Sequence, residues 1–348
     1  MSEPSTGSRP TLEAVAARAG VSRATASRVV NGGVGVRRPL VDKVLRAVEE
    51  LGYVPNHAAR TLVTRRTGAV AVIIAEPEVR IFSDPFFSQQ IRGISKELTA
   101  HDTQLVLLLV EGPGDYERIA RYLAGGHVDG ALAFSLHTDD PIPAITRRAA
   151  MPTVYGGRPS WTVAPDHQAV PYVDADNRGG AREAVQYLRD LGRLRIAHIG
   201  GPRDQTSAND RLDGYRDVLL DADQTLIAEG AFTEESGARA MTELLDRCPD
   251  LDAVFAANDL MASGALRVLK ERGRAVPGDV ALVGFDDMDS VAEATDPPLT
   301  TVQQDIEGQG RLMARLLLRG LDQEREGAGP PAPASVITPT MLVRRASA

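Results

Sequence analysis

Thr11-Leu-Glu-Ala-Val-Ala-Ala-Arg-Ala-Gly-Val-Ser-Arg-Ala-Thr-Ala-Ser-Arg-Val-Val-Asn31 reads as two short helices joined by a tight turn at Gly20. Thr11 stands where an N-cap belongs, and Leu12, Val15, Ala16 and Ala19 share one helical face. Glycine enters the left-handed backbone region that such a turn needs. Ser22 caps the second helix, whose short residues Ala24, Thr25, Ala26 and Ser27 permit close approach of the backbone to a partner. Arg23, Arg28 and Asn31 carry donors suited to base edges and phosphates. The spacing is that of a DNA-reading helix-turn-helix. An ordinary helical hairpin has the same turn, so the surrounding sequence must separate the two.

A third helix is expected from Pro39 onward, with Val41, Val44, Leu45, Val48 and Leu51 at helical spacing to close a small three-helix core. In Tyr53-Val-Pro-Asn-His-Ala-Ala-Arg-Thr-Leu-Val63, Pro55 breaks the chain and Asn56 is placed to cap a short Ala-rich helix bearing Arg60 and Leu62. Charge follows this division. Residues 1–66 hold 11 Lys/Arg and 5 Asp/Glu, whereas residues 67–348 hold 28 and 42. A basic head on an acidic body is expected where only the head touches nucleic acid.

Beyond residue 67 the pattern becomes one of alternation. Apolar runs at 69–75, 104–110, 130–135, 153–155, 170–173, 195–199, 253–257 and 280–285 alternate with helical patterns at 85–100, 177–191, 211–220, 236–246 and 259–272. Such alternation predicts parallel sheets covered by helices, and this length suits two doubly wound lobes. Ligands of such sheets sit off the carboxyl ends of the strands. That rule selects Asp84-Pro-Phe-Phe87, Arg211, Asn258-Asp259 and Asp286-Asp287. Carboxylate, amide and guanidinium groups beside aromatic rings suit a sugar, whose hydroxyls take directional bonds and whose ring faces are apolar. Each residue has a plainer alternative: Asn258 and Asp286 as helix caps, Arg211 in a salt bridge with Asp286, Phe87 in the core. Trp161, the single tryptophan, is either a lid on the cleft or an anchor for its Pro/Gly-rich loop.

These motifs together resemble the lac repressor/galactose repressor family of bacterial transcription factors. In the head the matches are Thr11-Leu12, Val15-Ala16, Ala19-Gly-Val-Ser22, Ser27-Arg-Val-Val-Asn31 and Gly52-Tyr-Val-Pro-Asn56; in the body, Asp84-Pro-Phe-Phe87, Arg211-Leu-Asp-Gly-Tyr215, Ala257-Asn-Asp259, Gly284-Phe-Asp-Asp287 and Pro298-Leu-Thr-Thr-Val302. The resemblance implies a small all-α helix-turn-helix headpiece plus an α/β core of two doubly wound parallel-sheet lobes, periplasmic-binding-protein-like. It implies that Arg23, Ala24 and Arg28 face base edges, that Thr11, Ser22, Thr25, Ser27, Asn31, Tyr53, Asn56 and Arg60 support DNA contact, and that Leu62 wedges a minor-groove step. It implies an effector held by Phe87, Arg211, Phe232, Asn258 and Asp286. The sequence departs from the family at Gly32-Gly-Val-Gly-Val-Arg-Arg-Pro39, which replaces a polar loop, and at Gly156, where some sugar-responsive members carry an acid.

The expected division is a disordered tail at 1–10, the headpiece at 11–53, a hinge helix and linker at 54–66, a first lobe at 67–174 and 303–330, and a second lobe at 175–302 and 331–346. The expected partners are pseudopalindromic double-stranded operator DNA, a small-molecule effector of sugar type, and a second copy in a homodimer. A single cysteine, Cys248, fits a reducing compartment. No apolar run reaches membrane-spanning length and no signal-peptide core opens the chain, so a cytoplasmic location is expected. Phosphate-loop, dinucleotide and metal-ligand spacings are absent from the sequence, so no cofactor, metal or enzymatic activity is expected. A solute-binding protein and a sugar-processing α/β enzyme are the competing classes. Whether ligand weakens DNA binding, as a sugar inducer does, or strengthens it, as a purine-like corepressor does, stays open.

Overall fold

Two αL glycines and two hydroxyl caps set the N-terminal helices. Leu12–Ala19 (α1), Arg23–Val30 (α2) and Arg38–Leu51 (α3) are the helices of this part. The Thr11 side chain accepts from the Ala14 amide at 3.2 Å, and Ser22 Oγ accepts from the Thr25 amide at 3.2 Å, each satisfying a donor the helix start leaves free. Gly20 and Gly52 end α1 and α3 at φ 66° and 59°. Val15, Ala16, Ala19, Ala26, Val29, Val44 and Ala47 form the core, with Leu12, Val41, Val48, Leu51 and Tyr53 packed against it. Leu45, expected in that core, is 52% exposed. It lies about 100° around the helix from Val44, and Ala47 takes the inward place.

The computed structural model describes residues 10–30, 35–54, 66–163, 169–221, 223–326 and 334–348. The chain divides into two compact units, one ending at Thr67 and the other beginning at Gly68. Among the described residues the second unit holds two six-stranded sheets. Ala69–Ile74 (β1), Gln104–Leu109 (β2), Gly130–Phe134 (β3), Thr153–Gly156 (β4), Tyr172–Ala175 (β5) and Ser335–Thr338 (β11) lie in the order β2-β1-β3-β4-β5-β11. Ile196–Gly200 (β6), Ile227–Glu229 (β7), Ala253–Ala256 (β8), Ala281–Asp286 (β9), Thr300–Gln303 (β10) and Met341–Val343 (β12) repeat that order as β7-β6-β8-β9-β10-β12. β12 runs antiparallel to β10, while β11 is parallel to β5. Both are doubly wound sheets, whose order reverses beside β1 and beside β6.

Helices cover both faces. On the first sheet, Val70, Val72 and Ile74 pack with Pro85–Ala100 (α5) and Ile306–Arg325 (α13), and Ala71 and Ile73 pack with Pro113–Ala124 (α6) and Ile142–Arg148 (α7). The short Glu78–Ser83 (α4) precedes α5. On the second sheet, Asn177–Asp190 (α8) and Thr206–Val218 (α9) lie over one face, and Glu234–Arg247 (α10) and Asp259–Glu271 (α11) over the other. Asp289–Ala292 (α12) follows β9. Burial on both faces explains why the central strands are continuous apolar runs rather than alternating ones.

The expected domain limits need one correction. Residues 331–346 are expected in the second lobe, but β11 pairs along β5 in the first sheet, and β12 joins the second. The chain therefore passes between lobes three times, after β5, after β10 and between β11 and β12. Thr338 Oγ1, at the third passage, donates to the Asp174 carbonyl at 3.2 Å beside the first. Arg211, expected to open a helix, lies inside α9, which begins five residues earlier at Thr206.

Candidate functional site

A cleft between the two lobes is lined by residues from the carboxyl ends of β1, β3, β4, β5, β6, β8, β9 and β10. Its empty volume is about 960 Å³, part of it continuous with solvent. Arg211 is the centre of its polar floor. Its Nε donates to Asn177 Oδ1 at 2.9 Å, another of its nitrogens donates to the Ala257 carbonyl, and a third lies 3.4 Å from Asp286 Oδ1. The guanidinium lies 3.7 Å from the Phe285 ring centroid, a cation–π contact in a desolvated setting. Asp286 also accepts from Gln304 Nε2 at 2.6 Å, and Gln309 donates to Gln304 Oε1 at 3.1 Å. Asn258 caps α11 by accepting from the Met261 amide at 2.9 Å, while its amide nitrogen donates to the Phe232 carbonyl at 3.1 Å. Asn258 is thus both a cap and a cleft residue. Asp286 (φ 105°) and Phe232 (φ 58°) stand in backbone conformations that cost non-glycine residues about 1–3 kcal/mol.

The opposite wall comes from the first lobe. Asp84 caps α5 by accepting from the Phe86 amide at 3.0 Å. Glu76, buried just beyond β1, pairs with Arg80 at 2.6 Å and accepts from Ser135 Oγ at 2.6 Å. Across the cleft, Gln205 Nε2 donates to the same carboxylate at 2.9 Å. His137 stands between Glu76 at 3.4 Å and Asp204 of the second lobe at 2.7 Å. Arg158 binds both oxygens of Asp210 at 2.6 and 2.8 Å, and its carbonyl accepts from Thr206 Oγ1 at 2.5 Å. Trp161 lines the cleft and packs edge-on against Tyr155, ring centroids 5.4 Å apart.

Burial dominates the electrostatics. It pushes the Asp84 and Asp174 carboxyls up to about 6 and raises Asp286, where Arg211 and Gln304 pull the other way. Burial also lowers Arg211, opposed by Asp286 and Asp174. An arginine stays charged through such a shift. His137 is held up at about 9 by its bonds to Glu76 and Asp204. Burial would raise Glu76, but His137, Arg80 and Ser135 together leave it below the usual carboxylate value. The cations of the cleft, Arg80, His137, Arg158 and Arg211, are therefore each already paired with a carboxylate, beside the rings of Phe86, Phe134, Trp161 and Phe232. That arrangement suits a neutral ligand rich in hydroxyls and with apolar faces.

Of the residues selected from the sequence, Arg211, Phe232, Asn258 and Asp286 line this one cleft. Phe87 does not. It is fully buried in the core, stacked on Phe134 at 6.3 Å, and its neighbour Phe86 lines the cleft instead. Gly156 lines the cleft without room for a side chain, since a Cβ would press on Phe134 and Met313. Glu76, Arg80, Gln90, His137, Asn177, Gln205 and Gln304 are not among the residues selected from the sequence. Glu76 and Gln304 stand within two residues of strand ends, so the strand-end rule applied to every strand reaches them. Arg80, on a six-residue helix, carries no such signal.

In the N-terminal unit, Arg23, Ala24 and Arg28 are exposed on α2, with Thr25 and Ser27 half-buried. Arg23 pairs with Glu13 at 2.6 Å on the surface, an exposed contact worth little. Thr11 and Ser22 serve as caps, and Tyr53 packs on the headpiece core. Asn31, Asn56, Arg60 and Leu62 lie outside the described residues. Among the described residues no group of His, Cys, Asp and Glu is arranged to hold a metal, and no helix is long and apolar enough to cross a membrane.

Comparison with known proteins bears on both units. Residues 11–56 match bacterial regulatory proteins of the lacI family, and residues 185–348 match the periplasmic binding protein-like domain. The chain is 52% identical over 314 residues to the HTH-type transcriptional regulator CelR of Thermobifida fusca, covering 89% of this chain and 91% of that one. It is 34% identical over 320 residues to the ribose operon repressor of Escherichia coli K12, covering 90% and 93%. Among solved structures, a transcriptional regulator CelR–cellobiose complex matches with a TM-score of 0.77 at 47% identity, covering 98% of this chain and 100% of that one. A lac repressor dimer bound to operator and the anti-inducer ONPF matches with a TM-score of 0.81 at 26% identity, covering 98% and 99%. These relatives are transcriptional regulators and not enzymes. With helix-turn-helix and two-lobed unit matched in order, and a relative 52% identical over 89% of this chain, the chain belongs to the LacI family of DNA-binding bacterial regulatory proteins.

Proposed function

We propose that this regulator is a cytoplasmic homodimeric repressor that leaves a pseudopalindromic operator when a neutral sugar, of the size of cellobiose, occupies its cleft. The observation that carries this reading is the buried array of Arg211, Asn177, Asn258, Asp286 and Gln304, whose charges are matched within the protein and which faces aromatic rings. An anionic ligand would need a spare cation, whereas a polyol needs fixed donors and acceptors. A similar solved structure, the CelR regulator at 47% identity, is a cellobiose complex. Sugar binding favours one relative placement of the lobes and thereby alters how paired headpieces reach two half-sites. On DNA, Arg23, Ala24 and Arg28 face base edges, supported by Thr11, Ser22, Thr25, Ser27, Asn31, Tyr53, Asn56 and Arg60, with Leu62 as the minor-groove wedge.

The test is operator retardation as a function of cellobiose concentration, for the parent and for Asp286→Asn. The parent is expected to release DNA. The variant, which keeps side-chain size but loses charge toward Arg211, is expected to bind operator without sugar and to need at least tenfold more sugar for release. Equal response of both proteins would remove Asp286 from effector recognition. Absence of release by cellobiose and by monosaccharides such as ribose and glucose would overturn the sugar reading.

A further inference from the structure

Most buried polar groups of the cleft find partners inside the protein, which fixes their positions. Two lining residues differ. Gln90 Oε1 and Arg80 Nε are buried and have no hydrogen-bond partner among the described residues. Gln90 faces inward from the second turn of α5 and is 2% exposed. Its amide nitrogen meets only the sulfur of Met313, at 3.0 Å. Turning the amide over changes which end is unpaired without pairing both, because a thioether is a weak acceptor and no donor. Arg80 is held firmly at its other end, with Nη1 on Glu76 at 2.6 Å. Its guanidinium lies 5.6 Å from the Phe87 ring and 5.5 Å from the Phe232 ring, one from each lobe.

An unmet buried donor or acceptor lowers stability, so such groups usually have a partner in the functional state. We propose that Arg80 and Gln90 are specificity-determining residues, with Arg80 Nε–H donating to one effector hydroxyl and Gln90 Oε1 accepting from another. This rests on the carbohydrate reading above. The two groups complement each other: a hydroxyl can satisfy either one, and a ring bearing two hydroxyls at the right spacing satisfies both. They lie on the first-lobe wall, opposite the Arg211 array. A sugar bonded to both walls links the lobes, whereas an analogue lacking one hydroxyl leaves one buried group unmet. Such a site rejects deoxy analogues more strongly than an apolar wall does.

The experiment is calorimetric titration of the full chain with cellobiose and its monodeoxy analogues, using the parent, Gln90→Leu and Arg80→Lys. Lysine keeps a cation for Glu76 but lacks the Nε–H. Each variant is expected to bind cellobiose about 5- to 30-fold more weakly, the effect of one lost buried hydrogen bond, and to bind operator normally without sugar. Gln90→Leu is expected to melt no lower than the parent, because an unmet acceptor has been removed. For one deoxy analogue the parent loses affinity while Gln90→Leu loses nothing further. A uniform loss across all analogues marks a structural effect and overturns the proposal, as does parental affinity in both variants. If a variant fails to bind operator, the parent's deoxy series decides: tolerance of every analogue overturns the proposal. A parent that binds neither cellobiose nor the monosaccharides overturns the carbohydrate reading and this inference with it.

Discussion

At the scale of single residues, buried ionisable groups set the behaviour of the cleft. Asp84 is placed by its capping bond to Phe86 and held at about 6 by burial. In the unfolded chain it titrates near 3.8. Between these values the folded protein binds more protons than the unfolded one, so this group adds stability as pH falls through 6 and costs stability above it. Asp84→Asn keeps the cap and removes the charge. The variant is expected to be more stable than the parent at pH 7, by up to roughly 3 kcal/mol, with the difference gone near pH 4. Urea midpoints across that range check it, and a pH-independent difference would contradict it. Arg28 is exposed on α2. Arg28→Ala is expected to weaken specific operator binding by about 1–3 kcal/mol without changing sugar affinity, as read by retardation at fixed salt beside calorimetry.

At the scale of elements, close helix packing fixes the wall that carries Gln90. A Cβ on Gly93 of α5 would run into the Glu307 carbonyl of α13, and one on Gly310 would run into the Gln90 carbonyl. The two helices touch backbone to backbone there, and any side chain forces them apart. Gly93→Ala is expected to lower stability by about 1–3 kcal/mol, the usual result of overpacking, despite alanine's better helix propensity. It is also expected to weaken sugar binding, since Gln90 lies one turn away. A raised melting temperature would show that the helices separate freely. Several element ends were legible in the sequence, because Thr11, Gly20 and Ser22 act through local geometry. The strands β7 and β10 were less so. They have three and four residues, and β10 opens on two threonines, so their periodic signal is short and mixed.

At the scale of the whole molecule, paired groups hold the lobes together at the cleft. His137 with Asp204, Arg158 with Asp210, and Gln205 with Glu76 each join the first lobe to the second. His137 is raised to about 9 by Glu76 and Asp204, against 6.5 unfolded. Its contribution is therefore fully present below pH 6.5 and is lost as pH rises through 9. Melting temperatures of the parent are expected to fall over that window more steeply than those of His137→Gln. Parallel curves would take His137 out of the linkage. Three chain passages between the lobes, two of them close enough for Thr338 to bond the Asp174 carbonyl, make rotation of whole lobes the natural motion, since each lobe has its own cores.

The order of the parts can be read from the chain alone: three helices, the first two capped by Thr11 and Ser22, a basic head, and an acidic body of alternating strands and helices. Periodicity, caps and turn glycines act over a few residues, and they survive in a one-dimensional reading. It also selected Arg211, Asn258 and Asp286, because strand ends in doubly wound sheets face ligands. That Phe86 rather than Phe87 lines the cleft follows from the fold, since one position around a helix separates wall from core. The fold likewise sends β11 to the first sheet and β12 to the second, because pairing depends on which edge strand lies open. The partners of Glu76 and His137 were settled the same way. Gln205 lies 129 residues from Glu76 and Asp204 lies 67 from His137, and contacts over such separations leave no periodic trace in the chain.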